Sequence, residues 1–229
     1  MTNETQAREE ICRIGASLFA RGYVHATAGN ISVRLDDGGF LITPTDACLG
    51  SLDPARIARL DANAQHFGGD RPSKTIAVHR QIYAAATRFD AGTRCVIHTH
   101  STHCVALSLD AAAVQRAQAG DEWLPAITPY FVMKVGHVPL IRYHRPGDPQ
   151  AAALIAQAIA MQGERGAPIR AVMLERLGPN VWHDTPAAAM AVLEELEETA
   201  RLWLMSQPKP APLDDAQIDE LRHQFGARW

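Results

Sequence analysis

Short β-rich runs and alanine-rich helical segments follow one another along this chain without a regular strand–helix–strand rhythm. The clearest local signal is "ISVRLDDGGFLIT", residues 31–43, in which two apolar runs flank a "DDGG" turn and predict a β-hairpin. Helices and strands mixed in this order predict an α/β fold. We expect a single αβα sandwich whose central, mostly antiparallel sheet is flanked by helices.

Turn residues and helical spacing place the other elements. We expect a second short hairpin within 57–69 and further strands at 94–100, 138–141 and 170–175. Helices are predicted over residues 7–21, 73–87, 149–161, 186–204 and 214–225, with another beginning near residue 101. Ser73 is the predicted N-cap of its helix. Residues 1–207 should form one domain, and the Pro-rich linker and last helix, 208–229, should belong to the same unit.

The composition narrows the range of functions. A formal net charge of −3 provides no basic field for nucleic acid or an anionic membrane. The first residues lack the pattern of a signal peptide, and no apolar run reaches the roughly 20 residues of a membrane span. The four cysteines are scattered without a CxxC pair, which favours a reducing compartment. We therefore expect a cytoplasmic protein that binds neither nucleic acid nor membrane.

Three of the ten histidines lie within six residues, in "CVIHTHSTHCVALS", residues 95–108. Residues i and i+2 of a strand point to the same face, so His98 and His100 should project together and suit a divalent metal. Taken alone, this HxH pair is equally compatible with two histidines that are only satisfied polar groups. His103 falls on the following helix, where a supporting or packing role is expected.

Several ordered motifs give the chain a resemblance to the class II aldolase/adducin family. They are "TAGNISVR", "FLITPTD", "RPSK", "VIHTHSTH", "ITPYFVMKVGHVPLI" and "EELEETARLWL". "ITPYFVMKVGHVPLI" and "YHRPGDP" resemble the branch of 3-oxo-tetronate 4-phosphate decarboxylases in particular. The resemblance implies a divalent metal, most simply zinc, on His98 and His100, and a homo-oligomer, a tetramer in that family.

The resemblance also implies where a substrate phosphate binds. Three short segments map onto this sequence at Gly29, Asn30, Thr45, Ser73 and Lys74. Their chemistry agrees, because a small-residue turn, hydroxyl donors and a helix start all suit an anion. The alternative is that the glycine turn and Ser73 are only structural. Asp46 departs from the glycine common in the aldolases, and Lys74 is a candidate partner for its carboxylate.

Two further departures concern the chemistry. Thr75 stands where the aldolases have an acid/base glutamate, and a hydroxyl cannot replace that base near neutral pH. Leu177 stands where the family's third metal-binding histidine is expected, which leaves that ligand unassigned; Glu175, His137 and His144 are substitutes to consider. Tyr130 matches the region of a catalytic tyrosine supplied across a subunit interface. Thr75 and Tyr130 are the candidate catalytic residues.

Loss of CO2 from a β-keto acid needs no base, since the carboxylate is already ionised and the metal can stabilise the enediolate that remains. The resemblance therefore implies a carboxy-lyase of sugar acid catabolism that converts 3-oxo-tetronate 4-phosphate to dihydroxyacetone phosphate and CO2. The alternatives are a sugar-phosphate aldolase or epimerase, and a non-catalytic adducin-like scaffold.

Overall fold

The hairpin at residues 31–43 lies within an eight-stranded sheet in the computed structural model, which describes residues 3–229. The strands are β1 Asn30–Arg34, β2 Phe40–Ile42, β3 Ala58–Leu60, β4 His66–Gly68, β5 Cys95–His98, β6 Leu140–Ile141, β7 Ala171–Leu174 and β8 Gly178–His183. Their order is β4-β3-β2-β1-β5-β8-β7-β6, and only β6 and β7 pair in parallel. The predicted mostly antiparallel sheet is confirmed.

Seven α-helices and one π-helical turn, Phe131–Val135, accompany this sheet in residues 3–229. The helices are α1 Glu4–Ala20, α2 Ile76–Ala86, α3 Thr102–Leu109, α4 Ala111–Ala119, α5 Pro149–Glu164, α6 Pro186–Met205 and α7 Asp215–Phe225. Helix α4 was not predicted as separate from α3; Asp110 both ends α3 and caps α4 through bonds to the N–H groups of Ala112 and Ala113. No helix described here combines the length and apolarity that crossing a bilayer requires.

The predicted N-cap at Ser73 is wrong. Helix α2 begins at Ile76, after Thr75, and neither side chain caps its first turn in the usual way. The Ser73 hydroxyl instead bonds to the Thr75 hydroxyl at 2.8 Å. Residues 73–75 form a turn before the helix, so the free first turn of α2 opens beyond these two hydroxyl groups.

The sheet has a different apolar core on each face. Ile31 and Ile97 belong to the core that α1, α3 and α6 cover, whereas Val96 and Trp182 belong to the core that α2 and α5 cover. Since alternate residues of a strand face opposite sides, His98 shares the face of Val96 and points towards α2 and α5. Helix α7 packs through Ile218 on Ala126 and Val132.

One buried carboxylate ties helix α6 to the segment that carries the histidines. Glu197 is 3% exposed and accepts hydrogen bonds from the backbone N–H groups of His103 and Cys104, at 2.8 and 3.0 Å. Burial would raise the pKa of Glu197, but these N–H donors outweigh it and lower the pKa. The carboxylate thus fixes the first turn of α3, directly after His98 and His100.

Replacing Glu197 with Ala should lower the free energy of unfolding by about 3 kcal/mol, because two N–H groups lose a charged acceptor. Glu197→Gln keeps one acceptor oxygen and the side-chain volume, so its loss should be less than half as large. Urea denaturation of both variants measures the difference. Equal stability of the wild type and Glu197→Ala would contradict the anchoring role.

Candidate functional site

Five strands bring their ends to one edge of the sheet, beside a cavity of about 350 Å³. Strand β5 ends there at His98, and its antiparallel neighbours β1 and β8 begin there at Asn30 and Gly178. Helices α2 and α5 point their first turns at the same space, since Val78 and Ala151 line it. The volume lies within the range of about 300–1,000 Å³ typical of small-molecule sites.

Two glycines allow the backbones to approach closely at this edge. Gly29 has a φ of +85°, and a β-carbon on it would lie 2.9 Å from the carbonyl oxygen of His98. Gly178 has a φ of +138°, and a β-carbon there would lie 1.9 Å from the carbonyl oxygen of Thr99. Any larger residue at either position would push the histidine strand away from its neighbours.

His98 lies at the centre of the site with a fixed ring. It is 5% exposed, and its Nδ1–H donates to the carbonyl oxygen of Pro179 at 2.9 Å. Burial lowers the pKa of His98 to about 3, with a further contribution from His100. The ring is therefore neutral at physiological pH, and Nε2 keeps its lone pair, which is the form that binds a divalent metal.

His100 is the second imidazole of the site. It lines the cavity, and its ring centroid lies 5.1 Å from that of His98. Burial, followed by the proximity of His25, lowers its pKa, which also favours the neutral form. His103 does not line the cavity, because its Nδ1 bonds to Glu197 at 2.8 Å. The two-residue spacing thus brings together the pair that the sequence predicted.

The chain supplies no third protein ligand for a metal at this pair. Leu177 lines the cavity and has no donor atom. Glu175 is engaged by Arg142 Nε at 2.7 Å, and His137 lies outside the cavity lining, with Glu122 at 2.6 Å. Within residues 3–229 no three His, Cys, Asp or Glu side chains are grouped as metal ligands. Two neutral imidazoles fit a divalent metal, and the substrate or water would have to complete its coordination.

Four of the five residues expected at a phosphate meet at one end of the cavity: Gly29, Asn30, Thr45 and Ser73. A bridge between Pro44 and Pro72 brings the last two segments side by side. Lys74 is exposed and does not line the cavity, and no ion pair joins it to Asp46 in residues 3–229.

The two candidate catalytic residues are placed differently. Thr75 lines the cavity and bonds to Ser73. Tyr130 is 60% exposed and precedes the π-helical turn, away from the cavity lining of its own chain. A role for Tyr130 at this cavity would therefore require a neighbouring subunit.

Sequence reasoning assigned no role to three polar residues of the cavity, Asn180, Arg142 and Arg145. Asn180 pairs with His98 across β5 and β8 and is 2% exposed. Its signal in the sequence is a single amide inside the otherwise apolar run "GPNVW". The arginines lie in "YHRPGDP", where Asp148 and Pro149 mark a helix start that brings the preceding residues to the cavity.

Comparisons with known proteins agree with this geometry. Residues 9–204 match the model of the Class II Aldolase and Adducin N-terminal domain. The chain is 52% identical to a 3-oxo-tetronate 4-phosphate decarboxylase from Cupriavidus necator, over 100% of both chains. The solved structure of YgbL from Escherichia coli has a TM-score of 0.81 and 37% identity, covering 96% of this chain and 99% of that one. A solved L-fuculose 1-phosphate aldolase, at 21% identity and a TM-score of 0.76 with 96% of both chains covered, shares the fold.

Replacing His98 with Ala should abolish the binding of zinc, because one of only two imidazole donors is lost. His103→Ala is the matched control, since His103 points to Glu197 and should leave zinc binding unchanged. Equilibrium dialysis of both variants against zinc, with circular dichroism to check folding, measures the effect. Equal zinc binding by His98→Ala and the wild type would contradict the assignment.

Leu177→His should strengthen zinc binding by about tenfold or more, because even residues that only support a metal ligand change affinity by 10–100-fold. The new imidazole would face the same cavity as His98 and His100. Competition with a chelating dye gives the dissociation constants. Leu177→Met has a similar volume without an imidazole, and it should match the wild type. An unchanged affinity in Leu177→His would show that residue 177 does not face the metal position.

Proposed function

Because the chain belongs to the class II aldolase and adducin family, we propose that it is a carboxy-lyase that converts 3-oxo-tetronate 4-phosphate to dihydroxyacetone phosphate and CO2. The observation that carries this proposal is the 52% identity, over the full length of both chains, to the decarboxylase from Cupriavidus necator. The proposal extends to zinc as the metal, a homotetramer as the assembly, and a cytoplasmic role in sugar acid catabolism.

The substrate phosphate binds at the start of α2. Thr45 and Ser73 provide hydroxyl donors, and the small-residue turn at Gly29 lets the backbone approach. No side-chain cap occupies the first turn of α2, so its N–H groups and the positive end of the helix dipole are available to an anion. Asn30 lies between this end and His98, its partner in the ladder of β1 and β5.

The metal binds at His98 and His100, beside the 3-oxo group of the substrate. When bound, it supplies a positive charge that polarises this carbonyl and offsets the negative charge that develops as CO2 departs. The protein keeps both rings neutral by burial and fixes the His98 ring through the carbonyl of Pro179.

The side chains around the imidazoles favour decarboxylation over aldol chemistry. Aldol cleavage needs a base, and Thr75 provides a hydroxyl where a carboxylate would serve. Of the lining carboxylates, Glu175 is paired with Arg142, and Asp148 accepts the N–H of Gln150 at the start of α5. Decarboxylation leaves only the later proton transfer to the product carbanion, for which water suffices.

The test is a coupled assay for dihydroxyacetone phosphate together with measurement of released CO2, using 3-oxo-tetronate 4-phosphate of both configurations. The two products should form in equal amounts with one configuration. Ser73→Ala should raise KM about tenfold, since one charge-assisted hydrogen bond to the phosphate is lost. Thr87→Ala, on the same helix but outside the cavity lining, is the control.

Two outcomes would decide for the alternatives. Cleavage of a phosphorylated sugar to an aldehyde, without CO2, would identify an aldolase. Absence of turnover on any phosphorylated keto acid, together with absence of zinc binding, would identify a non-catalytic scaffold.

A further inference from the structure

The loop between β6 and α5 forms one wall of the cavity, opposite the phosphate segments. Five of its residues line the cavity: Arg142, His144, Arg145, Gly147 and Asp148. The parallel pairing of β6 with β7 brings this loop beside Glu175, whose N–H donates to the carbonyl of Ile141 at 2.9 Å. The wall is therefore attached to the same sheet edge as His98.

The charge of Arg142 is already matched by a buried carboxylate. Glu175 is 6% exposed, and its Oε2 accepts from Arg142 Nε at 2.7 Å and from the N–H of Tyr143 at 2.9 Å. Arg142 therefore serves to neutralise Glu175 and to hold the loop in place. Asp148 likewise caps α5 through the N–H of Gln150 and lies 3.8 Å from the His144 ring.

Arg145 differs from Arg142 in having no partner. Its guanidinium lines the cavity and makes neither an ion pair nor a side-chain hydrogen bond with any of residues 3–229. It is the lining cation of the described chain whose charge no carboxylate matches. Arginine presents paired N–H donors whose geometry fits a carboxylate.

The order of the strands sets the order of the chemical groups across the site. From one side to the other lie Asn30 on β1, His98 on β5, Asn180 on β8, Glu175 after β7 and Arg142 after β6. The phosphate segments therefore lie on one side of the imidazole pair and the arginine loop on the other. A substrate with its phosphate at the first end would extend past the imidazoles towards Arg145.

Two buried amides between these ends have no partner in the described chain. Asn30 Oδ1 and Asn180 Nδ2 make no hydrogen bond to another residue, although both side chains are at most 5% exposed and line the cavity. A buried amide group without a partner is costly, and a bound polar molecule would satisfy both. An acceptor on one side of His98 and a donor on the other suit a chain of hydroxyl and keto groups.

We propose that Arg145 binds the carboxylate of the substrate, while Asn30 and Asn180 hold the hydroxyl and keto oxygens between it and the phosphate. This inference rests on the proposed function, which supplies a substrate with a phosphate at one end and a carboxylate at the other. Because Arg145 is exposed, its ion pair with the carboxylate is weak and screened. It therefore selects and orients the substrate without strongly opposing the departure of CO2.

The test uses two ligands that differ only at the carboxylate and cannot lose CO2. They are D-erythronate 4-phosphate and D-erythritol 4-phosphate, in which a CH2OH group replaces the carboxylate. Isothermal titration calorimetry should show that Arg145→Gln weakens binding of erythronate 4-phosphate about fivefold or more. Binding of erythritol 4-phosphate should change by less than about twofold, since its phosphate is held at the other end.

Arg165→Gln is the matched control, because this exposed arginine at the far end of α5 does not line the cavity, and it should bind both ligands like the wild type. Arg145→Lys should retain part of the preference for erythronate 4-phosphate, since it keeps the charge without the fork of donors. In steady-state assays, Arg145→Gln should raise KM with little change in kcat.

Three results would overturn the proposal. Equal weakening of both ligands in Arg145→Gln would place the arginine at the phosphate. Unchanged binding of both would remove it from the site, while CO2 release by the wild type would leave the proposed function intact. Failure of the wild type to bind either ligand or to release CO2 would overturn the proposed function and this inference with it.

Discussion

The pairing of β5 with both β1 and β8 is the constraint on which the rest of the site depends. His98 is the last residue of this central strand, and the ladders place it between Asn30 and Asn180. Because side chains alternate along a strand, a slip of one residue would turn His98 into the opposite core and bring Ile97 to the cavity. The fully buried Val96 and Ile97 prevent this slip, since each fills a core on its own side.

The same burial that fixes the strand also sets the chemistry of the histidines. An imidazolium ion at the position of His98 would have to lose its hydration, so the neutral ring is strongly favoured. The Nδ1–H bond to Pro179 then decides which nitrogen keeps its lone pair. Neutrality and ring orientation follow from the fold alone, before any ligand binds. The metal, by contrast, depends on the substrate or water, because the chain contributes two imidazoles and a leucine.

Local sequence patterns predicted the parts of the site that depend on local structure. The HxH spacing requires only that residues 94–100 be extended, and the hairpin at 31–43 requires only a turn between two alternating runs. The cap at Ser73 was wrong because a hydroxyl before a helix has several local partners, and here it bonds to Thr75. Lys74 follows the same logic, since a turn before α2 directs neighbouring side chains in different directions.

Long-range pairing placed the residues to which sequence reasoning gave no role. Arg142 and Arg145 reach the cavity because β6 pairs with β7, more than thirty positions later, and this register is not written in either segment. Asn180 gains its meaning from the residue opposite, His98, which is equally distant in sequence. The resemblance in "YHRPGDP" indicated a branch of the family, but only the fold shows that this segment forms a wall of the cavity.

The apolar part of that cavity bears on the reaction it can support. Leu174, Leu177 and Ile155 line the same space as the two imidazoles, so a carboxylate placed among them is poorly solvated. Departure as neutral CO2 removes this cost, whereas a catalytic carboxylate in the same place would retain it and resist ionisation. Leucine at position 177 and threonine at position 75 therefore act in the same direction. Both make proton abstraction by the protein harder and leave the loss of the substrate's own charge as the favourable step.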